Sequence, residues 1–134
     1  MTIKSIITVP DPILKTVSKP VDKVDKNTRI LMDDMLETMY DAPGIGLAAI
    51  QIGVALRVIV MDIAWKKEDA KREPKFFINP EISNQSKETA IYEEGCLSIP
   101  NQYAEIERSA TCTVKYLDYN GKECIEGADG LFAT

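Results

Sequence analysis

The chain has 134 residues, of which 45% are hydrophobic and 28% charged, with a net charge of −5, a balance typical of one globular domain and not of a disordered chain. The acidic charge gives no electrostatic support for binding a nucleic-acid backbone. The longest uncharged apolar run, 47–56, is too short to cross a bilayer and nothing resembles a signal peptide, so we expect a cytoplasmic protein without a membrane partner.

The first third of the chain is predicted to form an extended arm followed by a helix. Residues 3–25 contain three prolines, which remove amide donors and fix φ. Asn27 or Thr28 can cap the helix, and the sequence at 41–44, "DAPG", ends it. The helix is expected to bury one face and solvate the other, with Leu31, Met35 and Met39 on the first and Asp33, Asp34 and Glu37 on the second.

The next segments are predicted to form strands joined by a polar loop. Residues 56–63 are a nearly continuous apolar run rich in β-branched side chains, which is typical of a buried strand. The charged residues at 64–74 indicate a solvated loop. The sequence at 75–82, "KFFINPEI", predicts a short strand that is broken at Asn79-Pro80.

The last third is predicted to contain a hairpin and the start of a helix. Apolar and polar residues alternate over 111–126 around Asn120-Gly121, the strongest short hairpin signal. The sequence at 127–134, "GADGLFAT", begins a helical apolar face that is too short to be stable alone. Because strands and helices do not alternate in βαβ order, we expect an α+β fold.

The first segment with chemical potential is 44–53, "GIGLAAIQIG". It fails as a dinucleotide-binding fingerprint, since no strand precedes it and its third glycine is misplaced. Its glycines let the backbone approach a ligand closely, and the amide of Gln51 can donate to a developing oxyanion. A tight turn with small packing residues is the alternative interpretation.

The second segment is 93–98, "EEGCLS", whose cysteine can ligate a metal or act as a nucleophile. The chain has no histidine, so a Cys–His hydrolase is excluded for these residues. A catalytic metal site needs about three protein ligands, and only carboxylates, Cys112 or Cys124 remain to join Cys96. An odd number of cysteines without CxxC spacing argues against a disulfide framework, and we interpret Cys112 and Cys124 as small buried hydrophobic residues.

In this order and spacing, the two motifs resemble those of the peptide deformylases, which remove the N-formyl group from nascent bacterial polypeptides. That family carries G-x-G-x-A-A-x-Q, E-G-C-x-S and H-E-x-x-H, and residues 44–51 and 94–98 match the first two. The arm, the strand "RVIVMDI", "INPEI" and "LDYNGKE" are also similar to the family. The third motif is absent, and we expect that a chain beginning its helix at 127–134 stops short of it.

The resemblance implies a divalent metal, ferrous iron or its substitutes zinc or nickel, held by the cysteine of the second motif and both histidines of the third. Here it assigns only Cys96 to the metal, and no residue matches the other two ligands or the glutamate that is the general base. Gln51 and the backbone N–H of Leu97 match the two donors to the formyl oxygen.

The resemblance also implies roles for residues around these motifs. Ile45 and Gly46 match the segment that pairs with the substrate backbone, and Tyr92 matches a residue lining the pocket for the first methionine side chain. Glu94 matches a carboxylate paired with a downstream arginine, for which Arg108 is the candidate, in an architectural role. A surface salt bridge of small energetic value is the alternative for this pair.

We therefore expect a peptide-deformylase-like α+β fold, with antiparallel strands packed around a helix and without the C-terminal metal-binding helix, as one truncated domain over 1–134. By resemblance the function is metal-dependent hydrolysis of the N-formyl group, with the 134 residues inactive as given. The alternatives are a non-catalytic module that binds formyl-Met peptides through 44–51 and 92–98, a remnant completed by another chain or by self-association through an apolar face, and a cysteine-only or carboxylate-assisted metal site.

Overall fold

The computed structural model describes residues 2–66 and 71–134. The N-terminal arm is confirmed as extended, apart from one 3-10 turn at Pro12–Lys15. Ile13 and Leu14, in this turn, are half-buried. Further along, Lys19 forms a parallel bridge with Leu56, so the arm is held against the body of the protein.

Helix α1 spans Lys26–Asp41 and begins before the predicted caps. Asp25 caps it, because its backbone is extended and its side chain accepts a hydrogen bond from the Thr28 amide at 3.0 Å. The prediction of Asn27 or Thr28 as the cap is wrong, since both residues lie inside the helix. The helix ends at Asp41, as predicted.

The buried face of α1 is as predicted, but the prediction of a solvated face is wrong, since Asp33 and Glu37 are half-buried. Met35 and Met39 are fully buried and Leu31 is half-buried. Asp34, expected in solvent, is 8% exposed. The arm crosses over it, and its carboxylate accepts a hydrogen bond from the Thr2 amide at 2.7 Å, which satisfies the buried oxygen.

An antiparallel five-stranded sheet packs on α1 and confirms the α+β fold. Val58 and Val60, on the predicted buried strand, belong to the core with the α1 methionines. The predicted hairpin around Asn120-Gly121 is confirmed, and Gly121 has a φ of 82°. In their order across the sheet, the strands are β1 Gly46–Ala48, β2 Val58–Met61, β3 Lys75–Ser83, β6 Thr111–Leu117 and β7 Glu123–Asp129.

Strand β3 passes through Asn79-Pro80, so the predicted break there is wrong. Its register with β6 changes from Ile78↔Leu117 to Glu81↔Lys115, which accommodates one extra residue as a bulge. Asn79 adopts a φ of 51°, a conformation that asparagine tolerates. Its side chain also bonds the amide and the carbonyl of Val21 at 2.8 and 2.9 Å, so the bulge binds the arm.

A second sheet, absent from the predicted elements, consists of strands β4 (Thr89–Cys96) and β5 (Ile99–Ser109). Most of its residues are exposed, so the hydrophobic alternation that would have indicated strands is weak. Leu97 and Ser98 form the turn that joins the two strands. The hairpin therefore carries the second motif at its tip.

The remaining predicted segments are partly described. Residues 67–70 of the predicted charged loop lie outside the described residues, and its residues 71–74 are exposed and irregular. The predicted terminal helix is shorter than expected: β7 continues to Asp129, and helix α2 spans Gly130–Ala133. In the described part of the chain, none of the helices has the length and apolar character needed to span a membrane.

Candidate active site

Gln51 lies in a 3-10 turn, Ala49–Ile52, that follows β1 directly. Its Oε1 accepts a hydrogen bond from the Ala48 amide at 3.0 Å. Its Nε2 donates to the Ser98 Oγ at 3.2 Å and to the Cys96 Sγ at 3.7 Å. Both ends of the amide are thus engaged, which holds the Nε2 donor towards the tip of the β4–β5 hairpin.

The N-terminal arm forms backbone hydrogen bonds with both motifs. The Ile7 amide donates to the Gln51 carbonyl at 2.7 Å, and the Val9 amide donates to the Ser98 carbonyl at 2.9 Å. Ser98 is 4% exposed, whereas Cys96 is exposed. One extended segment therefore positions both motifs, and the thiol is the accessible group between them.

Leu97, the other residue of the hairpin turn, packs against the first motif. A Cβ built on Gly44 would lie 2.7 Å from the Leu97 Cδ1, closer than carbon atoms approach, so only glycine fits there without displacing Leu97. Among the backbone hydrogen bonds of turns and loops in the described residues, none uses the Leu97 N–H as its donor. The Gln51 Nε2 contacts Cys96 and Ser98, the residues on either side of Leu97.

Ile45 and Gly46 lead into the edge strand of the five-stranded sheet. The Ile45 carbonyl accepts a hydrogen bond from the Asp62 amide at 2.9 Å, and Gly46 pairs with Met61. Strand β1 occupies the end of the sheet order, so its outer edge has no strand beside it in the described residues. Such an edge can pair with an extended peptide.

Tyr92 lies on β4, half-buried and opposite Ile106. Its hydroxyl is 3.8 Å from where a Cβ of Gly130 would lie, at the start of α2. It lies four positions before Cys96 along the strand, a distance of about 13 Å. The hydrogen bonds that join Gln51 to the hairpin tip therefore do not extend to Tyr92.

Glu94 and Arg108 form a two-pronged ion pair across the β4–β5 hairpin. The guanidinium Nε and one terminal nitrogen donate to the two carboxylate oxygens at 2.6 and 2.8 Å. The hydrogen bonds from Arg108 hold the pKa of Glu94 below its ordinary value, and those bonds raise the pKa of Arg108. The side chains are 23% and 49% exposed, so water screens the pair.

The residues present do not fit the divalent metal that the resemblance implies. Among residues 2–66 and 71–134, no group of three or more Cys, Asp, Glu or His side chains could hold a metal ion. The polar neighbour of the Cys96 thiol is the Gln51 amide nitrogen, which is a donor and not a metal ligand. Cys112 and Cys124 are half-buried on β6 and β7.

Two groups of the site were not identified in the sequence. Ser98 is part of the second motif, and its burial beside Gln51 gives it a contact that the motif alone does not indicate. Asp62 is 1% exposed and binds the segment before β1. The position of Asp62 directly after a buried strand was the one feature of the sequence that could have marked it as a candidate.

Comparisons with known proteins agree over the whole described chain. The profile of the polypeptide deformylase family matches residues 3–134. A peptide deformylase of Pelagibacter ubique (strain HTCC1062) is 59% identical over 134 residues, which cover 100% of this chain and 77% of that protein. One of Maricaulis maris (strain MCS10) is 60% identical over 134 residues, covering 100% of this chain and 76% of that protein.

Solved structures give the same result. The crystal structure of peptide deformylase from Ehrlichia chaffeensis superposes with a TM-score of 0.92 at 45% identity, covering 98% of this chain and 78% of that one. Its complex with actinonin gives a TM-score of 0.90 at 45% identity, covering 97% of this chain and 77% of that one. The enzyme from Thermotoga maritima gives 0.91 at 40% identity, covering 99% and 86%.

Proposed function

The chain belongs to the polypeptide deformylase family, and on that premise we propose that its site binds the formylated N-terminus of a nascent polypeptide for hydrolysis of the formyl amide. The observation that carries this proposal is the Gln51 amide, fixed by Ala48 and directed at the Cys96–Ser98 turn. A formylated nascent chain is a cytoplasmic substrate, so the proposal places the protein in the cytoplasm.

The proposed role of Gln51 follows from the charge that develops during amide hydrolysis. Attack on the formyl carbon produces a tetrahedral oxyanion, which donors already in position stabilise best. The contact from Nε2 to the Cys96 Sγ is long, at 3.7 Å, and the bond to the Ser98 Oγ is shorter, at 3.2 Å. We infer that the formyl oxygen accepts a hydrogen bond from the Gln51 N–H that is now directed at the Cys96 thiol. The hydrogen bond to Ser98 keeps the Gln51 amide in place.

The second proposed donor is the backbone N–H of Leu97. It lies in the hairpin turn between Cys96 and Ser98, and the turn is held by the arm through the Ser98 carbonyl. A backbone donor cannot rotate away from the substrate, so it complements the side-chain donor of Gln51. Together the two form the proposed oxyanion-binding pair.

The proposed peptide-binding surface is the free edge of β1. Ile45 and Gly46 can pair with an extended peptide there, as an added strand pairs with a sheet edge. Tyr92, half-buried opposite Ile106, is the proposed wall for the first side chain of the peptide. The Glu94–Arg108 pair holds the two hairpin strands that carry this wall and is proposed to be architectural.

We further propose that a polypeptide of these 134 residues does not by itself release formate. Cys96 supplies one sulfur ligand, and the described residues contain no group of three or more Cys, Asp, Glu or His side chains that could hold a metal. Their sequence contains no histidine to serve as a ligand or a base. The family's metal, whether iron, zinc or nickel, therefore has no complete site among them.

The second candidate function is a non-catalytic module that binds formyl-Met peptides. The observation that favours it is that the Gln51 amide is fixed and the β1 edge has no neighbouring strand in the described residues, while those residues contain no group of three or more metal-ligating side chains. Both candidates require peptide binding, and for a polypeptide of these 134 residues neither predicts the release of formate. They differ in whether the bound formyl group is hydrolysed once the missing metal ligands are supplied.

One pair of measurements tests these proposals. Calorimetric titration with formyl-Met-Ala-Ser is expected to show binding, and an unformylated Met-Ala-Ser peptide is the matched control. Formate is assayed in the same samples, with none expected. Binding that is absent at millimolar peptide overturns the proposed site, and stoichiometric turnover to formate overturns the proposed inactivity.

Self-association through an apolar face stays a prediction. Ile91 and Tyr103, on one face of the second sheet, are 63% and 71% exposed, and Ile125 on β7 is 65% exposed. Apolar side chains scattered in this way are also normal on monomers. Light scattering over a range of protein concentrations measures the mass directly, and a monomer at every concentration contradicts the prediction.

A further inference from the structure

Asp62 is a buried carboxylate that the proposed function leaves without a role. It follows β2 directly and is 1% exposed. One oxygen accepts hydrogen bonds from the amides of Ala64 at 3.0 Å and Trp65 at 3.2 Å. The other accepts the Tyr40 hydroxyl at 2.5 Å and the Glu73 amide at 2.8 Å. This one side chain therefore organises the chain on both sides of residues 67–70.

Within residues 2–66 and 71–134, the groups that stabilise the charge of Asp62 are hydrogen-bond donors. None of the four ion pairs among the described residues includes it. Burial acts to raise its pKa, but the bonds from Tyr40 and three backbone amides outweigh burial, and the pKa is lowered. The carboxylate is therefore ionised at neutral pH, and its hydrogen bonds are of the stronger, charge-assisted kind.

These bonds lead from Asp62 to the first motif. The Trp65 indole Nε1 donates to the Gly44 carbonyl at 3.0 Å, and its ring meets the Tyr40 ring edge-on, with centroids 5.1 Å apart. The Asp62 amide itself donates to the Ile45 carbonyl at 2.9 Å. Two consecutive carbonyls before β1 are thus held by Asp62 and by the tryptophan that it orients.

The same segment contacts the second motif. Gly44 is buried, and the space where its Cβ would lie is filled by the Leu97 side chain. A displacement of Gly44 therefore changes the packing around Leu97, whose N–H is the second proposed donor. A continuous series of contacts joins Asp62, Trp65, Gly44 and Leu97.

We propose that Asp62 is a positioning residue that acts through Trp65 to set the place of the Gly44–Gly46 segment and the Leu97 turn. The identity of the ligand, a formylated peptide, rests on the proposed function. The positioning itself does not, since it is a property of the folded chain. Asp62 is buried, so the role proposed for it is to position other residues and not to act on the substrate.

The test uses the single tryptophan of the chain, because its indole N–H gives one resonance in a proton–nitrogen correlation spectrum. Asp62→Asn is expected to move this resonance and the amide resonances of Gly46 and Leu97. It is expected to weaken formyl-Met-Ala-Ser binding about tenfold, since a charged acceptor is lost. Asp33→Asn is the matched control: Asp33 also accepts a tyrosine hydroxyl, from Tyr119 at 3.1 Å, and its loss should leave the resonances and the affinity unchanged.

A second variant keeps the proposal testable if Asp62→Asn does not fold. Trp65→Phe retains a ring beside Tyr40 but removes the donor to Gly44, and it is expected to weaken binding by a similar factor. If both residues act on one segment, the double variant should lose no more than either single variant. Affinity within about twofold of the parent in folded Trp65→Phe overturns the proposal.

The two proposals can fail separately. A parent protein that binds no peptide at millimolar concentration removes the proposed function. The movement of the Gly46 and Leu97 resonances still decides the role of Asp62 in that case. Resonances that stay in place in folded Asp62→Asn, or failing that in Trp65→Phe, overturn the positioning role whatever the peptide does.

Discussion

The side chain of Gln51 donates to the hydroxyl of Ser98, 47 positions later in the sequence, at 3.2 Å and so joins the two motifs. Gln51 is also anchored by the Ala48 amide, and Ser98 by its contact with the arm. Because both partners are held independently, the amide is in position before any ligand arrives. This preorganisation is the basis of the first two predictions.

Replacing Gln51 with glutamate should abolish most of the peptide affinity. The change keeps the length of the side chain but removes its N–H donors and places a carboxylate near the Cys96 thiol. We expect formyl-Met-Ala-Ser binding to weaken at least about tenfold. Calorimetry measures this, and Gln85→Glu, at an exposed position between β3 and β4, is the matched control. Equal losses in the two variants contradict the assignment of Gln51.

Replacing Ser98 with alanine should act on the orientation of Gln51. The serine is 4% exposed, so the Nε2 loses its shorter partner without gaining water. We expect unfolding in urea to show a loss of about 1 kcal/mol, accompanied by weaker peptide binding. Ser83→Ala, at an exposed strand end, should change neither quantity. Unaltered binding in Ser98→Ala argues that Gln51 needs no second anchor.

Adding a methyl group at two glycines should have different consequences. A Cβ at Gly44 would lie 2.7 Å from the half-buried Leu97, and one at Gly95 would lie 2.7 Å from Tyr103. Tyr103 is 71% exposed and can move into solvent, whereas Leu97 cannot move without shifting the proposed donor. Gly44→Ala is therefore expected to weaken peptide binding more than Gly95→Ala. The opposite order of affinities contradicts this account.

The Glu94–Arg108 pair should contribute modestly to stability, with a defined pH dependence. The pKa of Glu94 is lowered in the folded state by its hydrogen bonds to Arg108. The contribution is thus present above the ordinary glutamate pKa and is lost as the pH falls through the lowered value. Thermal unfolding of the parent and of Glu94→Gln should differ at pH 7 and converge in acid, more closely in high salt. If the two proteins still differ in thermal stability in acid, the difference comes from the packing of the residue 94 side chain and not from the ion pair.

The thiol of Cys96 should not retain a metal by itself. The described residues contain no group of three or more side chains that could hold a metal, so Cys96 lacks the set of about three ligands that a catalytic metal site needs. We expect elemental analysis to find no stoichiometric zinc, iron or nickel after exposure to the metal and desalting. Cys96→Ser and Cys124→Ser should then be indistinguishable from the parent. Stoichiometric metal that disappears only in Cys96→Ser contradicts this prediction.

The elements that were predicted correctly are those whose signals are local. The α1 methionines recur at helical spacing, the β2 strand is a continuous apolar run, and Asn120-Gly121 encodes its turn in two residues. The family motifs are equally local, so Gln51 and Cys96 could be identified without coordinates. The helix cap was misplaced because Asp25, Asn27 and Thr28 are all capping residue types.

What could not be predicted depends on contacts between distant segments. The β4–β5 hairpin is exposed over most of its length, so no burial pattern marks it. Asp34 is buried because the arm returns across α1, and β3 continues through a bulge because Asn79 binds Val21. The resemblance of the two motifs was sufficient for the family, and the order of predicted strands and helices was sufficient for the fold class. The donor roles of Gln51 and Leu97 stay a prediction. The roles inferred for Asp62, Trp65 and Ser98 emerge from the folded chain alone, because a hydrogen bond between remote residues leaves no trace in local sequence.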